Sequence, residues 1–169
     1  PRRVAHRRNQ VKPHRLTAQF AVRLDAQTAD LVRALAVAED RSPSAVIRRA
    51  IQRDLFAVGA QLADPNDRLA TRVSKAIVSD VDVSRLESLI DSLEQQVPPL
   101  TRFILAGGGE AGASIHLART VCRRAERRIV ALTPQPDPVL IRYMNRLSDL
   151  LFMLARVINH RAHQPEIEW

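Results

Sequence analysis

The spacing of apolar positions predicts that most of this chain is helical. Four stretches carry apolar residues three or four positions apart, as on one face of an α-helix. They are 44–62, 86–97, 110–132 and 138–161. Pro98-Pro99 ends the second stretch, and Thr133-Pro134-Gln135-Pro136 separates the last two. The second half of the chain is therefore predicted to fold as a helical bundle.

The stretch 16–24 has a different pattern, because its residues alternate with a period of two. One side consists of Phe20, Val22 and Leu24, and the other of Gln19, Ala21 and Arg23. This alternation predicts a short strand, which needs a second strand for its backbone hydrogen bonds. A predicted helix over 26–39 follows, and the next begins at Pro43 with Ser42 as N-cap. The predicted fold class is mainly α, with one short N-terminal strand and two helices leading into the bundle.

The predicted strand and its two helices resemble the ribbon-helix-helix family of DNA-binding proteins. The resemblance rests on Val22-Arg23-Leu24, Leu35-Ala36, Arg41-Ser42, Ser44, Ile47-Arg48, Ala50-Ile51 and Leu55. It implies that two chains pair their strands into a ribbon in the major groove of DNA, where Gln19, Ala21 and Arg23 face base edges. Backbone amides around Ser42 and Ser44 would bind a phosphate. An ordinary amphipathic helical hairpin is the alternative.

The net charge of +8 is concentrated at the N-terminus. Residues 1–15 contain no acidic residue and six basic ones, namely Arg2, Arg3, Arg7, Arg8, Lys12 and Arg15. A segment of this composition cannot bury enough apolar surface to fold alone, so we expect a disordered arm. Its arginines suit DNA phosphates, and a solvated tail without a partner is the alternative.

Composition excludes several other classes of protein. The single cysteine, Cys122, excludes an intrachain disulfide, and its place on the apolar side of a helix predicts a core residue. The histidines have no matching set of ligands, so we expect no protein-bound metal. No apolar run reaches the roughly 18 residues of a membrane span, and no signal peptide is recognisable. We therefore expect a cytoplasmic protein with no membrane partner.

The last two predicted helices each carry a polar edge beside their apolar stripe. On the first, Arg119, Arg123 and Glu126 are spaced i, i+4, i+7. The edge of the second contains Asn145, Asp149, Phe152 and Arg156. Two such edges predict a polar pocket between subunits. Intrahelical salt bridges and solvated faces are the alternative.

Three motifs in this half resemble those of the PduO-type ATP:corrinoid adenosyltransferases, in order and spacing. They are Phe103-Ile104-Leu105-Ala106-Gly107-Gly108, residues 117–127 and residues 145–152, and the closing Glu166-Ile167-Glu168-Trp169 is also similar. The resemblance implies a trimer of helical bundles that transfers the 5′-deoxyadenosyl group of ATP to cob(I)alamin at subunit interfaces. It places Arg119, Arg123, Glu126 and Asn145 at the site of ATP and its Mg²⁺. It places Phe103, Asp149 and Phe152 against the corrinoid, where Phe103 helps to displace the lower ligand of the corrinoid.

The chain also departs from the pattern of that family. No stretch resembles its Thr-Arg-Thr-Gly-Asp-type loop, which wraps the triphosphate, or its acidic Val-Asp-Glu-Leu-Asn segment, and Ala106 replaces a proline. Because the charge of the leaving triphosphate must be neutralised, we expect loss of the loop to reduce transition-state stabilisation by roughly several kcal/mol. The glycines at 107–112 contain a GxGxxG pattern, but no strand-helix-strand unit surrounds them. We expect them to form the turn into the next helix.

The two resemblances overlap in the helix at 44–62 and suggest different functions. The predicted organisation is a basic arm over 1–15, a DNA-binding domain over 16–56 and an adenosyltransferase-like bundle over 51–169. Our main hypothesis is a DNA-binding transcription regulator whose bundle senses a corrinoid, a nucleotide or both. One alternative is a divergent ATP:cob(I)alamin adenosyltransferase, and another is an inactive relative that modulates a true enzyme through mixed oligomers. We expect a homo-oligomer, since a hexamer satisfies both dimeric heads and a trimeric bundle.

Overall fold

Four helices account for most of the residues that the structure describes. The computed structural model describes residues 43–64 and 77–169. Its helices are α1 (Pro43–Ala63), α2 (Asp80–Glu94), α3 (Glu110–Val130) and α4 (Pro138–Arg161). Among these residues the extended pairing is a single antiparallel bridge between Ile104 and Glu168. The prediction of a mainly helical fold is confirmed, whereas the predicted strand at 16–24 and helix at 26–39 lie outside the described residues.

The first turns of the helices follow from local sequence. α1 begins at Pro43, as expected for a proline at the first helical position. At the start of α2, the Ser79 backbone N–H donates to Asp82 Oδ2 at 3.0 Å, which satisfies a donor that the helix itself leaves free. At the start of α4, Asp137 Oδ1 accepts from the Val139 N–H at 2.9 Å. These carboxylates also suit the positive end of the helix dipole.

α4 is the central helix of the bundle, and both α2 and α3 pack against it. The fully buried side chains include Tyr143, Leu140 and Ser148 on α4 and Leu86 and Leu93 on α2. Aliphatic side chains form nearly all of this core, as the low aromatic content of 4% requires. Because α4 is buried on most sides, the polar groups that it carries must find partners within the protein.

A polar network connects α1 to α2 and α4. The hydroxyl of Tyr143 donates to Asp54 Oδ2 at 2.9 Å, and Arg85 forms an ion pair with the same carboxylate. Arg85 also pairs with Asp82 at 3.1 Å. Tyr143 is completely buried, so its hydroxyl needs this partner, and burial together with the Asp54 charge raises its pKa far above the ordinary value. The network fixes α1 on the bundle.

No helix in the described ranges is long and apolar enough to cross a membrane.

Candidate functional site

The polar edges of α3 and α4 meet along the seam between these two helices. Asn145 Nδ2 donates to Glu126 Oε1 at 2.9 Å, and Asn145 Oδ1 accepts from Arg146 Nη2 at 2.8 Å. Arg146 in turn pairs with Asp149 at 3.1 Å. Both ends of the Asn145 amide are therefore engaged, which fixes its orientation. The sequence predicted that these edges form a polar pocket between subunits, and the geometry brings Glu126 and Asn145 into direct contact within one chain.

Two turns away from the Glu126–Asn145 contact along the seam, a cation lies over an aromatic ring. The Arg119 guanidinium carbon is 5.0 Å from the centroid of the Phe152 ring, within the range of a cation–π interaction. The ring of His116 lies 6.1 Å from the same Phe152 ring and is tilted by 57°. Phe152 thus contacts two side chains of α3. Sequence analysis predicted a site role for Arg119 and Phe152, but not for His116.

Burial changes the protonation of this group. His116 is 4% exposed, and burial, followed by the charge of Arg119, lowers its pKa, against a smaller opposing effect of Glu166. Burial and the nearby Arg123 also lower the pKa of Arg119, which Asp149 partly offsets. An arginine stays charged in spite of such a shift, whereas the histidine is neutral at pH 7. His116 Nδ1 and Arg119 Nε have no hydrogen-bond partner among the described residues.

Arg123 provides the exposed positive charge of the site. It lies one turn beyond Arg119 on α3 and is exposed. The nearest acidic position on this edge, Glu126, already accepts from Asn145. An exposed guanidinium beside a second, partly buried one is suited to bind a polyphosphate, because each can donate two parallel hydrogen bonds.

An exposed apolar face is built by the segment after α2 and the C-terminal segment. Leu105 N–H donates to Ile167 O at 2.8 Å, and Trp169 N–H donates to Phe103 O at 2.9 Å. These bonds flank the bridge between Ile104 and Glu168, so this register sets Phe103 opposite Trp169. Alternation then places four side chains on one face, namely Phe103 (84% exposed), Leu105 (44%), Ile167 (57%) and Trp169 (88%). Sequence analysis singled out Phe103, and only the pairing reveals the other three.

Arg156 holds this pairing in place instead of serving the polar edge. It is 3% exposed, and its Nε donates to Glu166 Oε1 at 2.6 Å. Its Nη2 donates to the Pro98 carbonyl at 2.8 Å. One buried guanidinium therefore connects α4, the segment after α2 and the C-terminal segment. Its charge is matched by Glu166, as a buried cation requires.

Gly107, Gly108 and Gly109 form the turn into α3, as expected, whereas Gly112 lies in the first turn of that helix. Gly109 is the N-cap of α3, and Gly108 has a φ of +103°, a conformation that favours glycine. Cys122 is buried and its thiol donates to the Met144 carbonyl, with a sulfur–oxygen distance of 3.4 Å. Burial, with a further effect of Glu126, raises the pKa of Cys122 to about 11, so this thiol is a core residue and not a nucleophile.

The remaining predicted site residues are those that the DNA-binding hypothesis singled out. Eight of them lie outside the described residues: Arg2, Arg3, Arg7, Arg8, Gln19, Ala21, Arg23 and Ser42. Ser44 lies in the first turn of α1, and its side chain is not described. Across 43–64 and 77–169, no group of three or more His, Cys, Asp or Glu side chains could hold a metal ion.

Comparisons with known proteins support the resemblance in the second half of the chain. The family model described as cobalamin adenosyltransferase matches residues 7–158. The corrinoid adenosyltransferase PduO of Citrobacter freundii is 44% identical over 119 residues, which is 69% of this chain and 35% of that protein. The corrinoid adenosyltransferase of Bacillus subtilis is 40% identical over 121 residues, covering 70% of this chain and 60% of the relative. The chain thus spans 35% of the first relative and 60% of the second, less than two thirds of either.

The fold comparison agrees. A variant PduO-type ATP:corrinoid adenosyltransferase from Lactobacillus reuteri, solved in complex with cobalamin and ATP, is similar with a TM-score of 0.64. The two are 37% identical, and the match covers 72% of this chain and 67% of that one.

These comparisons show that the prediction of a DNA-binding transcription regulator is wrong. The family match includes the whole stretch 16–56 that resembles a ribbon-helix-helix domain, and nothing supports DNA as a partner. In the structure, Val58 is buried, and Ile51 and Leu62 pack against the core of the bundle. The apolar stripe of this helix is thus buried against the bundle of its own chain. In a ribbon-helix-helix protein, the same stripe would be buried between two DNA-binding heads. An amphipathic helix after a serine-capped turn occurs in both kinds of fold, which is why the pattern misled. The chain belongs to the cobalamin adenosyltransferase family.

Proposed function

We propose that this chain is an ATP:corrinoid adenosyltransferase, which transfers the 5′-deoxyadenosyl group of ATP to cob(I)alamin. The observation that carries the proposal is the α3–α4 seam, where an exposed cationic edge and an aromatic surface lie side by side. The family membership of the chain and the cobalamin and ATP bound by the Lactobacillus reuteri relative support the same reading.

On the nucleotide side, Arg119 and Arg123 bind the triphosphate of ATP, which arrives as its Mg²⁺ complex. The exposed Arg123 makes the first contact, and the half-buried Arg119 strengthens it in a less polar environment. The Glu126–Asn145 pair lies beside these arginines and presents carboxylate and amide oxygens toward the nucleotide or its Mg²⁺.

On the corrinoid side, Phe103 and Phe152 provide the apolar contact for the flat macrocycle. Phe103 is 84% exposed and therefore free to pack against a ligand. Phe152 is half-buried and is held by Arg119 and His116. Asp149, already paired with Arg146, offers an acceptor for the amide side chains at the corrinoid edge.

The reaction balances without a further reagent. The electron pair of cobalt(I) forms a bond to C5′ of the ribose, the C5′–O bond breaks, and triphosphate leaves with the bonding pair. Charge accumulates on the leaving triphosphate, so guanidinium groups positioned there stabilise the transition state. The rest of the rate enhancement comes from proximity and orientation, because two parts of one seam hold C5′ and the cobalt in line.

A second copy of the chain completes the site in this proposal. The outer face of α3 exposes Leu117 by 67% and Val121 by 48%, one turn apart, and such an apolar stripe is suited to cover by another subunit. We therefore place the site between subunits of a homo-oligomer, with the bundle formed by residues 51–169.

The experiment is a steady-state adenosylation assay with chemically reduced cob(I)alamin and Mg-ATP, followed by absorbance. We expect turnover that depends on the protein, and a rise of about tenfold or more in the KM for ATP when Arg123 is replaced by alanine. Arg48→Ala removes the same charge from an exposed position on α1 and should leave the kinetics unchanged. Absence of turnover in the unmodified protein would reject the proposal.

A further inference from the structure

One amide side chain of α4 anchors the turn that connects the Phe103 segment to α3. Asn159 is 6% exposed, and its Nδ2 donates to the Gly107 carbonyl at 3.0 Å. Gly107 lies four residues after Phe103 and two before the N-cap of α3. The hydrogen bond therefore joins α4 to the turn between a proposed corrinoid contact and the helix that carries the proposed ATP contacts.

The turn is shaped to receive this side chain. A Cβ on Gly108 would lie 2.2 Å from Asn159 Nδ2, and a Cβ on Gly112 would lie 2.0 Å from Asn159 Oδ1. Both distances are far below contact, so glycine at these two positions leaves the space that Asn159 fills. Gly108 also has a positive φ of 103°, which a residue with a side chain rarely adopts.

Packing alone does not call for an amide at this position. Asn159 Oδ1 is buried without a hydrogen-bond partner among the described residues, which is unfavourable for a polar atom. An apolar side chain of similar size would fill the same space without that cost. What the amide adds is its tether to the Gly107 carbonyl.

Asn159 acts together with Arg156, one turn earlier on α4. Arg156 binds the Pro98 carbonyl, at the start of the segment that carries Phe103, and Asn159 binds Gly107 at its end. Between these two points, Phe103 is exposed, and its carbonyl accepts from Trp169. The position of Phe103 relative to the α3–α4 seam is thus set from both ends by α4.

We propose that Asn159 is a positioning residue for the corrinoid side of the reaction, because it holds the Gly107–Gly109 turn and so fixes where Phe103 lies. This inference rests on the proposed adenosyltransferase function. It makes a specific claim, namely that Asn159 has its effect on catalysis through Phe103 and does not affect ATP binding.

A double-mutant cycle tests this claim in the full chain. Asn159→Asp keeps the size of the side chain but replaces the donor with a carboxylate that faces the Gly107 carbonyl. We expect it to lower kcat about tenfold by displacing Phe103, with the KM for ATP within about twofold of the original. In a Phe103→Ala background, the same substitution should lower kcat by less than about twofold, because the two residues act as a unit. Ser148→Ala, which removes a buried hydroxyl on the same helix, is the control and should leave kcat unchanged.

A spectroscopic readout accompanies the kinetics. The resemblance to the family implies that Phe103 helps to displace the lower ligand, so we measure the base-off fraction of cob(II)alamin bound together with Mg-ATP. Asn159→Asp and Phe103→Ala should both reduce this fraction. Should Asn159→Asp unfold at the assay temperature, Asn159→Ala combined with Gly112→Ala refills the vacated space, removes the tether and should show the same loss.

The results separate the two proposals. No turnover by the unmodified protein would reject the adenosyltransferase function itself. With an active protein, losses that multiply in the Phe103→Ala background would overturn the role of Asn159 as a positioning residue. An unchanged kcat in Asn159→Asp, or a change confined to the KM for ATP, would overturn it as well.

Discussion

Asn145 on α4 donates a hydrogen bond from Nδ2 to Oε1 of Glu126 on α3, at 2.9 Å, and this contact joins the two polar edges of the proposed site. Both residues were chosen from the sequence as members of separate helix edges. Their contact shows that the edges face the same seam, and it allows the pair to be tested as a unit.

Substitutions that exchange the carboxylate and the amide between Glu126 and Asn145 should show whether their contact stabilises the protein. Asn145→Asp brings a second carboxylate against Glu126, and we expect a loss of about 1–3 kcal/mol in the free energy of unfolding and a higher KM for ATP. Adding Glu126→Gln restores an amide–carboxylate pair with the roles reversed, and should recover most of the stability. Thermal unfolding and ATP titration measure both effects. Full stability of Asn145→Asp alone would contradict the contact.

The cation over Phe152 should be sensitive to the shape of the side chain as well as to its charge. Arg119→Lys keeps the charge but loses the planar group that lies over the ring, so we expect weaker binding of both substrates. Arg119→Ala should be more severe, since it removes the charge and about 1 kcal/mol of cation–π interaction. Steady-state kinetics for ATP and cob(I)alamin measure the order. Equal values of KM for the lysine and alanine variants would contradict a contribution of charge, and values of KM in Arg119→Lys equal to those of the unmodified protein would contradict a contribution of the planar group.

His116 gives the fold a dependence on acidic pH. Its pKa is lowered in the folded state, mainly by burial, so the unfolded chain binds a proton more readily. The stability that this provides is present above the ordinary pKa of 6.5 and is lost as the pH falls below it. The slope for one such group is at most about 1.4 kcal/mol per pH unit. Denaturant unfolding between pH 7 and pH 5 should show a smaller slope for His116→Phe than for the unmodified protein, and an equal slope in the two proteins would contradict this role of His116.

The apolar face around Phe103 should bind the corrinoid and not the nucleotide. Trp169→Ala removes the side chain opposite Phe103, and we expect weaker corrinoid binding by about 1–2 kcal/mol with ATP binding unchanged. Trp169→Phe should keep most of the affinity. Phe56→Ala, at an exposed aromatic on α1, is the control. Calorimetric titration with hydroxocobalamin measures the affinities. If Phe56→Ala and Trp169→Ala weakened binding equally, the effect would not be specific to this face.

Helix positions could be predicted from the sequence because they depend on local patterns. The breaker Thr133-Pro134-Gln135-Pro136 and the apolar spacing after it were sufficient to place α4 at Pro138–Arg161. The sequence marked Glu126 and Asn145 as members of two polar edges, but it predicted a pocket between subunits and not their contact within one chain. The Asp54–Tyr143 contact was not predicted either, because the two residues are 89 positions apart and no local pattern links them.

The apolar face was missed for a related reason. Ile167 and Trp169 belong to this face only because their segment pairs with that of Leu105 and Phe103. The two segments are more than 60 residues apart, and such a pairing leaves no periodicity in the sequence of either segment. The ribbon-helix-helix resemblance failed in the opposite way. A local pattern was present, but the partner that buries the apolar stripe of α1 is the bundle of this chain.

The most direct test of the adenosyltransferase assignment is identification of the products. The protein is incubated with cob(I)alamin and Mg-ATP, and adenosylcobalamin and free triphosphate are quantified by liquid chromatography and mass spectrometry. We predict that both products form in equal amounts, only when the protein is present, and that Arg123→Ala reduces both together. Failure to form adenosylcobalamin above the level of the protein-free control would contradict it.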